Sequence, residues 1–297
     1  MTASRQIAVL GTGLLGRAVA ERLHTVGNQV IAFNRTFTKA LPLQSQGITV
    51  VKTAEQAVSQ ADCSLLLLTD AAAIRALLFA DTCLSALRGK VIVQMGTIRS
   101  DESVEIQQDI ERCGGTYLEA PVLGSMAEAK AGTLLVMVGA SEPQYAAWSP
   151  LFRSLSRDPR YIGPVGSAAA LKLALNHLIA AETVAFAFSL GLVQRSGVSV
   201  EPFMAILRES ALYAPTFDKK LPRLLKRDYD RPNFSTGHLL KDVLLFAQEA
   251  AALGLPAAAL EGLPLILQRA IAKGLGDLDY SALFEAVSPA GPDRPLS

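Results

Sequence analysis

Cysteine is scarce. The 297-residue chain has three, Cys63, Cys83 and Cys113. They are widely spaced, form no CxxC pair and have no histidine beside them, which speaks against a zinc site, so no metal is expected. An odd, sparse set fits a reducing compartment, and the expected location is the cytoplasm. An excess of one charge is also lacking: 28 Lys and Arg stand against 27 Asp and Glu, a formal net charge of +1. That leaves no electrostatic reason to expect nucleic acid or an acidic membrane as partner. No apolar run is long enough to span a bilayer. The best candidate, Leu178 to Val193, falls short of the roughly 20 residues required and carries Glu182. It is predicted to be a buried helix. The apolar run before Gly11 is too short, and too soon broken by glycines, to be a signal peptide. Low-complexity tracts and solenoid repeats are missing as well.

What is there is core material: half the residues are hydrophobic. The length suits two domains of ordinary size. The first half alternates two kinds of segment. Gln6–Leu10 is a short apolar run ending in glycines, as a buried parallel strand does. Leu15, Val19 and Leu23 then share a helix face, and Gly27 stops that helix. The runs 29–34, 61–69, 90–95, 116–120 and 134–140 read as further strands. Thr53 with Gln56, and Ser141 with Gln144, form capping boxes that start helices. This rhythm predicts an α/β, doubly wound, mostly parallel sheet. After about Gly163 strands give way to long helical patterns over 167–195, 201–209, 239–253 and 257–273. The expected division is residues 1–164 and 165–297, the second all-helical. Ser288–Ser297, rich in proline, predicts a frayed tail.

Two features carry chemistry. Gly11, Gly13 and Gly16 form GxGxxG between a strand and a helix. The glycines give a tight turn, close approach of backbone to a pyrophosphate, and close helix packing. The turn and helix start, Gly11, Thr12, Gly13, Leu14, Leu15 and Gly16, offer free N–H groups to phosphates. The second strand ends in Asn34-Arg35-Thr36 instead of the acid that binds an NAD ribose. Asn34 does not repel a 2′-phosphate, Arg35 pairs with one, Thr36 adds a hydroxyl and Lys39 adds charge. NADP(H) is therefore expected over NAD(H). Thr69, where the run 61–69 ends, is placed on the same cofactor.

The second feature is Lys172, set in the apolar run Gly166–Leu178 with Asn176 four residues on. Both lie on one helix face. Burying a lysine is costly unless the cost is used. Desolvation favours the neutral amine, so such a lysine can give up a proton near neutral pH. That is what a developing alkoxide needs from a general acid.

These motifs in this order resemble the β-hydroxyacid dehydrogenase family, which includes 3-hydroxyisobutyrate dehydrogenases and glyoxylate and succinic semialdehyde reductases. The resemblance runs over nearly the whole chain, through "GTGLLG", "MGTIRS", "EAPVLGSMAEAKAGTL", "GPVGSAAALKLALN" and "FSTGHLLKD". It implies a Rossmann domain, a long interdomain helix and a helical domain that mediates homodimers or homotetramers. It implies reversible hydride transfer between NAD(P)H and the carbonyl carbon of a small oxo acid or aldehyde acid. Lys172 is then the general acid, and Asn176 orients substrate or lysine. Thr97 and Lys241 contact the cofactor. Thr97, Leu123, Gly124, Ser125, Phe234 and Asp242 join Lys172 and Asn176 around the substrate.

The chain departs from the pattern at two places. Leu123 stands where the family commonly has serine, with Ser125 as a displaced hydroxyl, and Gly96 stands where serine commonly precedes Thr97. A less polar wall suits a larger or less charged carbonyl compound. The alternatives are a 3-hydroxyisobutyrate-type dehydrogenase, an imine reductase and a non-catalytic NADP-binding protein. The presence of Lys172 argues against the last two. His177, His238 and Trp148 are expected to be structural, and Tyr213 sits in a loop that can reach an active site.

Overall fold

The computed structural model describes residues 5–256 and 260–290. It divides into two compact units, Met1–Leu173 and Ala174–Ser297. Ten elements open the first unit: β1 (Gln6–Leu10), α1 (Leu14–Thr25), β2 (Gln29–Phe33), β3 (Thr49–Val50), α2 (Ala54–Gln60), β4 (Cys63–Leu66), α3 (Ala71–Leu78), α4 (Asp81–Leu84), β5 (Val91–Gln94) and α5 (Ser100–Arg112). They are followed by β6 (Thr116–Glu119), β7 (Val122–Leu123), α6 (Met126–Ala131), β8 (Leu135–Gly139), α7 (Glu142–Leu155) and β9 (Arg160–Gly163).

The strands lie in the order β3-β2-β1-β4-β5-β6-β8-β7, with β9 beside β8. From β3 through β6 every pairing is parallel. β8 runs antiparallel to β6 and β7, and β9 runs parallel to β8. The mostly parallel sheet read from the sequence is present, with two reversed strands, β8 and β9.

Period-two alternation sorts the apolar residues of β1 into two cores. Ile7 and Val9 join Val19 and Leu23 of α1 and Phe152 of α7. Ala8 and Leu10 join Val58 of α2, Ile74 of α3, and Ile106 and Ile110 of α5. Both faces are covered, so the strands can be apolar throughout. Thr53 and Ser141 make the expected capping boxes, with Gln56 and Gln144.

α8 (Ser167–Arg195) begins in the first unit and continues into the second. By length and composition alone it could cross a membrane, and 44% of its apolar window is buried inside the protein. The second unit adds α9 (Val200–Glu209), α10 (Pro215–Lys226), α11 (Thr236–Ala252), α12 (Gly262–Ala272) and α13 (Phe284–Val287). Ala180, Val184 and Ala187 recur at helical spacing and pack with Phe217, Leu239, Val243, Leu267 and Phe284. α10 is not legible as a helix because Pro215 and Pro222 interrupt its pattern. Pro215 sits in the first turn, where a proline needs no partner for a missing N–H. α11 starts at Thr236, three residues before its apolar pattern, because Ser235 accepts a hydrogen bond from His238 N and caps it. The predicted start of the last long helix at Ala257 and the tail from Gly291 lie outside the described residues.

Candidate active site

The glycine turn is built by exclusion. Gly11 has φ +100°, a conformation that favours glycine, and a Cβ there would lie 2.4 Å from Leu67 O. A Cβ on Gly16 would lie 1.9 Å from Gly11 O. These two glycines are required by the fold itself. Gly13 is different: a Cβ there would meet nothing within 4 Å. The protein does not need that position bare, whereas a phosphate approaching the backbone does.

Asn34 ties the end of β2 to this turn. Its Oδ1 accepts from Thr12 N at 3.0 Å, and its Nδ2 donates to Thr36 O at 3.0 Å. Arg35, Thr36 and Lys39 are exposed. Thr12 is buried and its Oγ1 has no hydrogen-bond partner among the described residues. Beside the turn lies a cavity of about 490 Å³, whose lining includes Thr12, Gly13, Leu14, Arg17 and Lys39. Leu15 is partly buried and packs against the core that holds Ile7 and Val9. An open glycine turn, an unpartnered buried hydroxyl and nearby cations fit a dinucleotide phosphate.

The remaining N-terminal positions follow the strand ends. Thr69 is exposed in the turn after β4, and Thr97 is half-buried after β5. Gly96 has a local reason: a Cβ there would lie 2.5 Å from Leu68 O. Leu123 ends β7 opposite Leu135 of β8. Gly124 has φ +131°, and a Cβ on it would crowd Leu134 at 2.7 Å. The Ser125 hydroxyl is committed to Glu128, donating to Oε2, which also accepts from Ser125 N at 2.7 Å.

Lys172 is 9% exposed, one turn before Asn176 on α8. Asn176 is held firmly: its Nδ2 donates to Asp242 Oδ2 at 2.6 Å, with both residues 2% exposed. Lys241 forms an ion pair with the other carboxylate oxygen of Asp242 at 2.7 Å. Asp242 is thus flanked by the asparagine amide and an ammonium, and it fixes which face of the amide points away. Phe234 packs edge-on against Tyr280, with ring centres 5.9 Å apart.

The other singled-out residues have structural employment. His177 stacks on Phe246 at 4.1 Å, and burial lowers its pKa. His238 Nδ1 bonds Ser235 Oγ at the start of α11. Trp148 lies under the Arg5 guanidinium. Tyr213 donates to Asp218 at 2.8 Å. Sequence patterning gives no reason to single out Glu119, which the fold buries at the end of β6. Its trace in the sequence is its place at the head of the EAPVLGSMAEAKAGTL motif, where no spacing assigns it a role.

Residues 6–163 match the family model for the NAD-binding domain of 6-phosphogluconate dehydrogenase. Residues 166–287 match the NAD-binding model of NADP-dependent 3-hydroxyisobutyrate dehydrogenase. The chain belongs to the β-hydroxyacid dehydrogenase family. Glyoxylate/succinic semialdehyde reductase 1 of Arabidopsis thaliana is 30% identical over 288 residues, 95% of this chain and 98% of that protein. A solved 3-hydroxyisobutyrate dehydrogenase from Mycobacterium tuberculosis, with L-serine, superposes with a TM-score of 0.85 at 25% identity, covering 96% of this chain and 99% of that one. An imine reductase from Myxococcus stipitatus, with NADP+, shares the fold at a TM-score of 0.67 and 19% identity, over 95% and 99% of the two chains. This β-hydroxyacid dehydrogenase is therefore an NAD(P)-dependent oxidoreductase, with a nicotinamide dinucleotide as its cofactor.

Proposed function

We propose that this enzyme is an NADPH-dependent reductase of a small aldehyde or oxo acid, of the glyoxylate or succinic semialdehyde type. The observation that carries the reading is the buried Lys172, one turn from an Asn176 fixed by Asp242. A bound reduced nicotinamide supplies a hydride to the carbonyl carbon. The Lys172 ammonium offsets the negative charge growing on the carbonyl oxygen and gives that oxygen its proton, leaving a hydroxy acid and a neutral amine. Asn176, held by Asp242, orients the substrate or the lysine. Gly11, Thr12, Gly13, Leu14, Leu15 and Gly16 hold the pyrophosphate, and Thr69, Thr97 and Lys241 complete the cofactor contacts. Thr97, Leu123, Gly124, Ser125 and Phe234 shape the substrate side.

Preference for NADPH is supported by the end of β2. Asn34 is occupied with Thr12 and Thr36, no carboxylate stands there to exclude a phosphate, and Arg35 and Lys39 are exposed cations. A charge-assisted bond is worth about 1.5–3 kcal/mol, so Arg35→Ala should weaken NADPH binding roughly 10- to 100-fold and leave NADH unchanged. Equal wild-type affinity for the two cofactors would sink the preference.

A second reading, oxidation of a 3-hydroxyisobutyrate-like acid, is favoured by the likeness to the Mycobacterium tuberculosis structure. It uses the same residues in reverse. A panel of aldehyde acids with NADPH and hydroxy acids with NAD(P)+ separates the two. In either direction Lys172→Ala should lower kcat by on the order of 10²–10⁴; unchanged turnover would remove lysine from the chemistry. We also propose a homodimer or homotetramer built through the helical unit, because Leu178, Phe188 and Leu192 of α8 are 52%, 54% and 69% exposed. Sedimentation equilibrium showing only monomer at micromolar concentration would reject it.

A further inference from the structure

The start of α8 has an unusual support. Helix N-termini leave N–H groups that a side chain just before the helix normally satisfies. Here the approach is Gly163-Pro164-Val165-Gly166, which has no such side chain. Gly166 takes φ +100°. The cap comes instead from Glu119, 47 residues earlier at the end of β6. Its Oε1 accepts from Gly166 N at 2.9 Å, Ala168 N at 2.8 Å and Ala169 N at 3.1 Å. Its Oε2 accepts from Ser103 Oγ, which also bonds the Tyr117 hydroxyl at 2.9 Å. On the opposite strand, a Cβ at Gly139 would sit 2.3 Å from Oε1, so β8 leaves room for the acid by having glycine there. Glu119 is 1% exposed.

A local serine or aspartate would cap the helix at far less desolvation cost. What the remote acid adds is a tie between the helix and the sheet. Lys172 follows Ala169 by three residues, about 4.5 Å along the helix axis. A rotation or slide of the first turn therefore moves the lysine directly.

We propose that Glu119 is the positioning residue of Lys172: its buried carboxyl locks the first turn of α8 to the sheet and so sets where the ammonium stands. The proposal rests on Lys172 being the proton donor. A misplacement of about 1 Å can cost roughly 10²-fold in rate. Glu119→Ala should therefore lower kcat about 10²-fold with NADPH affinity, read by fluorescence titration, changed less than about twofold. Glu119→Gln keeps an oxygen for the three N–H groups, while its amide meets the Ser103 hydroxyl. It should restore kcat to within about threefold of wild type. An alanine variant that keeps its kcat per folded molecule, or loses kcat and cofactor binding in parallel, overturns the proposal.

Where Glu119→Ala fails to fold, Ser103→Ala takes its place. It removes only the donor to Oε2 and should lower kcat about threefold to tenfold; no change overturns the proposal. A readout without turnover separates this from failure of the acid assignment. Lysines are labelled with acetic anhydride in wild type and variant, and Lys172 is quantified by mass spectrometry. Its labelling rate should shift by about threefold or more in Glu119→Ala while that of Lys90 stays constant. An unchanged Lys172 rate overturns the positioning role, even where Lys172→Ala has shown the lysine to be dispensable.

Discussion

Glu119 in the N-terminal unit and Asp279 in the helical unit are both carboxyl groups sealed from water, 1% and 0% exposed. They are accommodated by opposite means. Glu119 is met by neutral donors, three helix N–H groups and the Ser103 hydroxyl. A helix start carries the equivalent of about half a charge. Burial pushes the Glu119 carboxyl above the ordinary range, and those donors only partly offset it. Asp279 is met by a full ammonium: Lys220 Nζ lies 2.7 and 2.9 Å from its two oxygens. Ser281 adds its hydroxyl at 2.7 Å and its N–H at 3.1 Å. Burial penalises the charge on Asp279 too, but Lys220 and Ser281 outweigh it and hold the carboxyl below its usual range. The neutral arrangement tolerates protonation and serves position. The ionic one serves cohesion, since it joins α10 to the turn at Tyr280, over whose ring the ammonium sits at 3.9 Å.

The largest expected effect comes from taking away the cation. Lys220→Ala leaves Asp279 buried without its main partner, and breaking such a pair costs about 3–5 kcal/mol. Hydrogen exchange followed peptide by peptide should show the loss across α10 and α11, where protection reports local opening. Glu119→Gln, which leaves neutral partners for neutral donors, should cost about 1 kcal/mol or less near Ser103 and Ala168. Equal losses at the two sites would erase the distinction between them.

The two carboxyls should also respond to pH in opposite directions. A raised folded pKa gives stability that is fully present below the ordinary carboxylate value and is lost as pH rises through the folded value. That describes Glu119, whose shift is upward. A depressed folded pKa gives stability that is present above the ordinary value and is lost as pH falls through the folded one. That describes Asp279. From about pH 4 upward, Glu119→Gln should therefore gain on wild type in exchange protection around α8's first turn. Asp279→Asn should trail wild type by a constant margin above about pH 4 and close that gap as the pH falls below it. Parallel curves for wild type and Glu119→Gln would show that the acid is ionised in the folded state as readily as in water.

The contrast also marks where the sequence stops being readable. Gln6–Leu10, the glycine turn, Thr53 with Gln56 and the whole extent of α8 follow from patterns within a few residues, and the fold has them. Gly96 is a departure in the loop after β5, and Leu68 O leaves no space for a side chain there. Ser125, read as a displaced hydroxyl in the substrate loop, donates that hydroxyl to Glu128, a bond its spacing does not announce. Glu119 and Asp279 left almost no readable trace, because their partners lie 47 and 59 residues away. Long-range pairings of this kind are set by topology and carry no spacing of their own. Asp242 came into view only through a family resemblance, and its hydrogen bond with Asn176, 66 residues away, was not foreseeable from either segment.

A local cap supplies the smallest and cleanest test of what a remote cap adds. Thr53 caps α2 within its own segment: its Oγ1 accepts from Gln56 N at 3.1 Å, and Gln56 Oε1 accepts from Thr53 N at 3.3 Å. Both residues are exposed. Thr53→Ala should cost about 1 kcal/mol of stability, the usual worth of such a cap, and leave kcat where it was. Glu119 caps a helix as well, from a distant strand and at the turn before Lys172. If capping were only a matter of satisfying N–H groups, the two substitutions to alanine would differ in stability alone. A measured kcat that falls for Glu119→Ala and stays fixed for Thr53→Ala assigns the difference to position. Equal kcat in both variants would reduce Glu119 to an expensive form of Thr53.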